Sequence, residues 1–451
     1  MSSLYILLIY VCFILIIYFL VIKKRKNTLE KINFFHYNNM FLLFIIIELP
    51  YLFTVFADHS VIPYAVLQNV GINFENVYNT HILNNMIYIL IVLLTMNIVN
   101  PKPKKLNFFI NTHYTSRQYF ILHIFTLLVS VVAFNSFLSS VGGLYFLLQN
   151  MDSRSTLTAG TGYIQALFGL SSYLSIGFLI LSFKDKKLSL LKKIYLFVII
   201  VFIFILLAST GGRKNSIILI LYVATLWHFN IKPIKIFTLT NIIVFFVLVI
   251  FISAMPLLRS HGASEFYMQH PTLFLSDALA NSGMFFKRFS DIDRSLFIYN
   301  HFDISNLWLG SSFYDILMAP IPRSIFPDKP PVDEGVYIYN LLHGKNIAPG
   351  TPFKDLLPVG LPTSTITNMY INFHYIGIII GAIMMGYLIK YFYNLLLLSN
   401  YNPQATFLYT NVIFGNLAIT NLRIVGFLTI VVFLILMTLT MRFFIKGKTK
   451  I

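Results

Sequence analysis

The sequence predicts an all-α polytopic membrane protein, and three observations predict it: the composition, the length of the apolar runs, and the distribution of cations between them. Of 451 residues, 57% are hydrophobic and only 11% charged, whereas about a quarter of a soluble domain is charged. Apolar runs at 4–22, 40–57, 82–99, 119–140, 163–183, 194–210, 216–231, 237–257, 369–389, 405–420 and 424–441 predict about 11 transmembrane helices, within 10–12. Crossing the hydrocarbon takes about 20 residues, and tilt or burial allows fewer. The runs at 216–231 and 405–420 are short by that measure.

The cations set the expected topology. If the first run passes from outside to inside, KKRK (23–26), PKPKK (101–105), KDKKLSLLKK (184–193), KPIK (232–235) and KGKTK (446–450) share one side. That side then holds 21 of the 33 Lys and Arg against Glu30 and Asp185 alone, while the other holds 12 cations and 13 acids. By the positive-inside rule the rich side is cytoplasmic, with the N-terminus outside and the C-terminus inside. The net charge of +17 is thereby a topology signal: a polybasic lip attracts anionic membrane lipid, and no nucleic-acid partner is implied. The first run is not a cleaved signal peptide, because its positive charge follows the apolar stretch. The single cysteine, Cys12, excludes an intrachain disulfide, and no Cys/His cluster suggests a metal.

Three regions follow: an N-terminal membrane domain of about eight spans (1–257), a large extracytoplasmic loop (258–368) and a C-terminal membrane domain of about three spans (369–451). The loop is too apolar for disorder and is expected to form short amphipathic helices at the outer leaflet. Within it, IPRSIFPDKP (321–330) has three prolines that forbid a regular helix. It reads as a stiff strap carrying Arg323, Asp328 and Lys329.

Outer cations in short loops run against the positive-inside rule, which singles out Arg154, Arg213, Lys214 and Arg423. Arg259, Lys287, Arg288, Arg294, Arg323 and Lys329 join them in the long loop. Ion pairing with outer acids, or snorkelling, is the plain reading of any one of them; as a group they suit an anionic ligand. Arg213 follows Gly211 and Gly212 in a tight turn between two spans, where a guanidinium is suited to bidentate phosphate contact. FKRFSDIDRS (286–295) alternates cations with Asp291 and Asp293, the pattern of a salt-bridged face. Of the loop acids Asp291, Asp293, Asp303, Asp315, Asp328, Asp333, Glu334 and Asp355, one carboxylate is a candidate general base. His261, His270, His301 and His343 are alternatives for that role. Glu48 is the one acid inside a span, near Pro50; it pairs with a neighbouring helix or has a function. No phosphate loop, dinucleotide fingerprint or metalloprotease motif is present. No cytoplasmic loop is large enough for a nucleotide sugar.

Three stretches carry a family resemblance. STGGRKNSIILI (209–220), APIPRSIFPDKP (319–330) and TNMYINFHYIGIIIG (367–381), in this order and spacing, resemble the Wzy-type oligosaccharide repeat-unit polymerases. His374 departs from that pattern where a glycine often follows Asn-Phe, and Asn368 stands where an acid is common. The resemblance implies a GT-C-like, metal- and cofactor-independent glycosyltransferase of a bacterial inner membrane. It implies transfer of a growing glycan from undecaprenyl pyrophosphate to the next lipid-linked repeat unit, with a chain-length regulator as a further partner. On this reading Arg213, Arg323, Asp291 and Asp328 are expected to be catalytic, and Arg154, Lys214, Arg288, Arg294, Lys329 and Arg423 to bind substrate. A lipid-linked oligosaccharide flippase and an O-antigen ligase are the competing readings.

Overall fold

The computed structural model describes residues 3–23, 35–104, 114–151, 153–158, 160–184, 189–210, 213–234, 238–259, 263–321, 323, 325–414 and 418–445, and among them every regular element is helical. In chain order these are α1 (Ser3–Lys23), α2 (Tyr37–Ala57), α3 (Tyr64–Val70), α4 (Phe74–Ile98), α5 (Ser116–Ser140), α6 (Leu144–Gln149), α7 (Arg154–Leu157), α8 (Gly162–Ser182), α9 (Leu190–Ser209), α10 (Arg213–Asn230) and α11 (Leu239–Ala254). There follow α12 (Ala263–Gln269), α13 (Pro271–Ala280), α14 (Ile292–His301), α15 (Glu334–Leu342), α16 (Thr365–Leu398), α17 (Pro403–Phe414) and α18 (Asn421–Ile445).

Each of the eleven apolar runs overlaps a helix, and eight helical segments among the described residues are long and apolar enough to cross a membrane. The three runs left out have physical reasons. α10 spans 18 residues but begins Arg-Lys-Asn-Ser and ends Trp-His-Phe-Asn, which dilutes its apolar centre. α11 has 16 residues and α17 only 12. The chain is thus a multi-pass membrane protein. The expected short helices of the 258–368 region are present as α12 to α15 with short 3₁₀ turns between them.

Local signals explain the helix ends. Thr115 and Gln118 form a reciprocal capping box at the start of α5, satisfying two backbone N–H groups that the helix leaves open. Pro271 opens α13, where its missing N–H costs nothing. Asp333 caps α15 by accepting from the Gly335 N–H at 3.0 Å. α16 is kinked at Phe373 and His374.

Cα packing divides the chain into two units. Unit 1 comprises Met1–Lys102, Phe286–Tyr391 and Asn416–Phe427; unit 2 comprises Pro103–Phe285, Phe392–Gly415 and Leu428–Ile451. In unit 1, α1 packs on α2 and α4, α14 packs on α3 and α4, and α15 packs on α3. Its core includes Leu7, Leu52, Tyr78, Ile82, Leu296 and Ile338, all fully buried. α16 approaches α4 closely at Gly386, where an added Cβ would stand 2.7 Å from the Thr95 Cβ; small residues permit such backbone approach between membrane helices.

In unit 2, α8 is the most enclosed span and packs chiefly on α5. Its small residues make that possible. Ser172 meets Ser130 at 2.6 Å, and Ser175 meets His123 Nδ1 at 2.9 Å.

Candidate functional site

Polar side chains concentrate in unit 1 where residues 286–364 pack on α2, α3 and α4. The stretch leading into α14 is tied down one contact at a time. Lys287 donates to the Val61 carbonyl at 2.8 Å and pairs with Asp293 at 3.2 Å. Asp293 also accepts from the Tyr51 hydroxyl at 3.0 Å. Arg294 donates to the Ser290 carbonyl at 2.9 Å, and the Ser290 hydroxyl donates to Glu48 at 2.7 Å. The alternating charges of 286–295 therefore form the expected salt-bridged face, but that face is turned onto membrane helices.

Glu48, the lone acid within a predicted span, sits here with His81 of α4 and Asp291, which precedes α14. One potential ligand atom from each lies within 4.8 Å of the other two. His81 Nε2 is 3.7 Å from Glu48 Oε1. His81 is buried, while Glu48 and Asp291 are half-buried. These are the residues that offer a metal-type donor set among the described residues.

A second group joins the long segment to the start of α18. Glu334 is buried; its carboxylate accepts from Thr363 at 2.5 Å and from the Asn421 backbone N–H at 3.0 Å. Burial, with Asp333 beside it, pushes its carboxyl up to about 7 against the pull of those hydrogen bonds. Burial also raises the carboxyl of Asp333, which Arg423 partly offsets. Arg423, half-buried in the first turn of α18, experiences the charges of Asp333, Glu334 and Arg294 together. Two guanidinium groups, from α14 and α18, thus act on one another beside two carboxylates.

The return segment that carried part of the resemblance is a joint. The Asn372 side-chain oxygen accepts from the Gly310 N–H and from the Ser312 hydroxyl, at 3.1 and 3.0 Å. Asn368 donates to the Ile419 carbonyl at 2.9 Å, and the Ile419 N–H donates to Thr365 at 2.8 Å. An amide donor is what this place uses, and Asn368 supplies it. His374 adopts φ 54° and ψ −144°, a backbone region suited to glycine.

The strap closes on itself. Lys329 is 7% exposed and donates to the carbonyls of Ala319 and Ile321 at 3.2 and 2.8 Å. Burial and the neighbouring Arg323 lower the affinity of its ammonium for protons. It pins the strap from within and does not project from it. Arg323 is exposed, donates to the Lys329 carbonyl at 3.0 Å and lies 4.2 Å from the ring centre of Phe353. Asp328 is exposed and pairs with Lys354 at 2.9 Å. Pro322 and Ser324 lie outside the described residues.

Of the sequence-predicted residues, Asp291, Arg294, Arg323, Asp328, Lys329 and Arg423 have described side chains in unit 1, and Asp291 joins Glu48 while Arg294 joins Arg423. Arg288 is also in unit 1, with its side chain outside the described residues. Arg154 and Lys214 are half-buried in unit 2, at the starts of α7 and α10. The Gly211–Gly212 turn and the side chains of Arg213 and Arg259 lie outside the described residues, as does His261. Sequence reasoning missed His81. Its only signal was a histidine just before the 82–99 run with Asn84 and Asn85 close behind it, and nothing local tied it to Glu48 or Asp291. Glu334 was one among the loop acids named as candidate bases, and nothing local singled it out, because its neighbour Asn421 is 87 residues away in the chain.

No family model, no curated protein and no solved structure matches this chain. The fold and site together define an all-helical, multi-pass membrane protein with a buried ionic cluster where its long segment meets the membrane helices.

Proposed function

We propose that this chain polymerises lipid-linked oligosaccharide repeat units at the periplasmic face of a bacterial inner membrane, releasing undecaprenyl pyrophosphate. The observation that supports the reading is that Arg294 and Arg423 lie in the same unit, with the charge of Arg294 acting on Arg423 alongside Asp333 and Glu334. Guanidinium groups suit a polyanion, and a pyrophosphate leaving group is one. Arg323, exposed on the strap, adds a third guanidinium in the same unit. In this reading the guanidinium groups stabilise the charge that develops on the pyrophosphate as the glycosidic bond to it breaks. The sequence resemblance over 209–220, 319–330 and 367–381 supports the same class.

The test is the surface polysaccharide ladder of a strain lacking the protein, complemented with wild type, Arg294→Ala, Arg423→Lys or Arg323→Ala. A polymerase null carries one repeat per acceptor lipid, wild type restores the ladder, and the arginine variants shorten it at normal protein levels. Loss of all attached repeats in the null would replace this reading with a ligase. Repeats trapped inside would replace it with a flippase. A full ladder from all three variants would refute the role assigned to the arginines.

A further inference from the structure

We infer that Glu48, His81 and Asp291 form a divalent cation site within unit 1. This departs from the metal-free expectation that the sequence raised, and it stands whether or not the polymerase reading does.

The donor set is the first argument. One imidazole and two carboxylates converge from α2, α4 and the residue preceding α14, with ligand atoms within 4.8 Å of one another. Ligands about 2.1 Å from a tetrahedral ion stand about 3.4 Å apart. The observed 3.7 Å between His81 Nε2 and Glu48 Oε1 is close to that. A shift of a few tenths of an ångström closes that pair, and the Asp291 oxygen, within 4.8 Å of the other two, needs a side-chain movement of up to about 1.4 Å. The two carboxylates match the charge of a divalent ion. Mixed imidazole and carboxylate donors favour Zn²⁺, Mn²⁺ or Fe²⁺ over Mg²⁺ or Ca²⁺, which prefer oxygen alone.

The second argument is independent of the donor types. Asp291 Oδ2 and the Tyr10 hydroxyl are both buried with no hydrogen-bond partner. Tyr10 is 1% exposed and experiences the charges of Glu48 and Asp291. Buried polar atoms are almost always paired, so these two orphans indicate that the protein alone does not complete the arrangement. Among the described cations nearest in sequence, Lys287 is paired with Asp293, and Arg294 donates to a backbone carbonyl.

The surroundings support the ligands. Ser290 donates to Glu48 and accepts from the Ile292 N–H at 3.2 Å, which holds the carboxylate in orientation. The Asn85 amide nitrogen lies 2.9 Å from His81 Nε2. A half-turn of that amide presents its oxygen in place of the nitrogen and frees the imidazole lone pair for the ion. The competing arrangement is a protonated His81 paired directly with Glu48, without a metal.

The experiment uses the full chain in detergent, free of any affinity tag, stripped with chelator and dialysed. Mn²⁺ is titrated in and free ion followed by electron paramagnetic resonance. Wild type is expected to bind one equivalent. Asp291→Asn and His81→Gln should weaken binding at least tenfold, while Asp293→Asn, whose carboxylate is committed to Lys287 and Tyr51, should not. Zn²⁺ loaded onto wild type should show, by X-ray absorption, one imidazole and otherwise oxygen ligands, an outcome that needs no variant to fold. Absence of stoichiometric binding by wild type, binding unchanged in Asp291→Asn and His81→Gln, or a sulfur or multi-imidazole shell would each overturn the site.

Discussion

Replacing Glu334 with Gln should stabilise the protein above neutral pH and leave it unchanged in acid. Burial lifts this carboxyl from the ordinary 4.5 to about 7. Below about pH 4.5 it is protonated in the folded and unfolded chain alike, so its burial adds no pH-dependent cost. Between there and pH 7 the unfolded chain releases the proton while the folded chain keeps it. Stability therefore falls as pH rises, by about 1.4 kcal/mol per pH unit, to a total near 3 kcal/mol above pH 7. Glutamine stays neutral throughout and keeps the local hydrogen bonds. Its oxygen accepts from the Asn421 N–H, and its amide donates to the Thr363 hydroxyl in place of accepting from it. The assay is the apparent melting temperature of the solubilised chain at pH 4 and pH 8.5, at one scan rate because such unfolding is commonly irreversible. Glu334→Gln should melt with wild type at pH 4 and above it at pH 8.5. A variant that melts lower at pH 8.5 would refute the reasoning, and would mean that the ionised carboxylate and Arg423 are a net stabilising pair.

Three further substitutions test the packing and the backbone. Gly386→Ala should destabilise by about 1–3 kcal/mol, since its Cβ would stand 2.7 Å from the Thr95 Cβ and 2.8 Å from the Val92 carbonyl oxygen; an unchanged melting temperature would show that α16 and α4 are not in that close contact. His374→Gly should melt at or above wild type, because a non-glycine residue in its conformation carries about 1–3 kcal/mol of strain, and a clear drop would argue that the ring's contacts outweigh the strain. Lys329→Met should loosen the strap by leaving the Ala319 and Ile321 carbonyls without their donor, at a cost of about 1–3 kcal/mol; faster proteolysis between 319 and 330 is the expected readout, and wild-type resistance would show that the ammonium does not hold the strap.

Membrane character, helical class and the places of the eleven helices follow from composition and run length, because a span must be apolar over its whole length and satisfy its own backbone. These are local requirements, so each is legible in a short window of residues. The Pro-rich strap was legible for the same reason, since proline acts on its own and the preceding residue. The direction of its charges was not: Lys329 turns inward and Arg323 outward because carbonyls of residues 319 and 321 happen to surround the one and a Phe353 ring the other. Asn368 and Asn372 stood out by motif, yet only their distant partners, Ile419, Gly310 and Ser312, reveal that they form a joint. The same limit governs the sites. Glu48 was noticeable by itself as an acid in an apolar run, whereas its company is not written near it: His81 is 33 residues on and Asp291 a further 210. Which charges meet is decided by the packing of α14 on α4 and by the first turn of α18 reaching Asp333 and Glu334, because electrostatic and ligand chemistry depends on distance in space and residue spacing along this chain does not encode it.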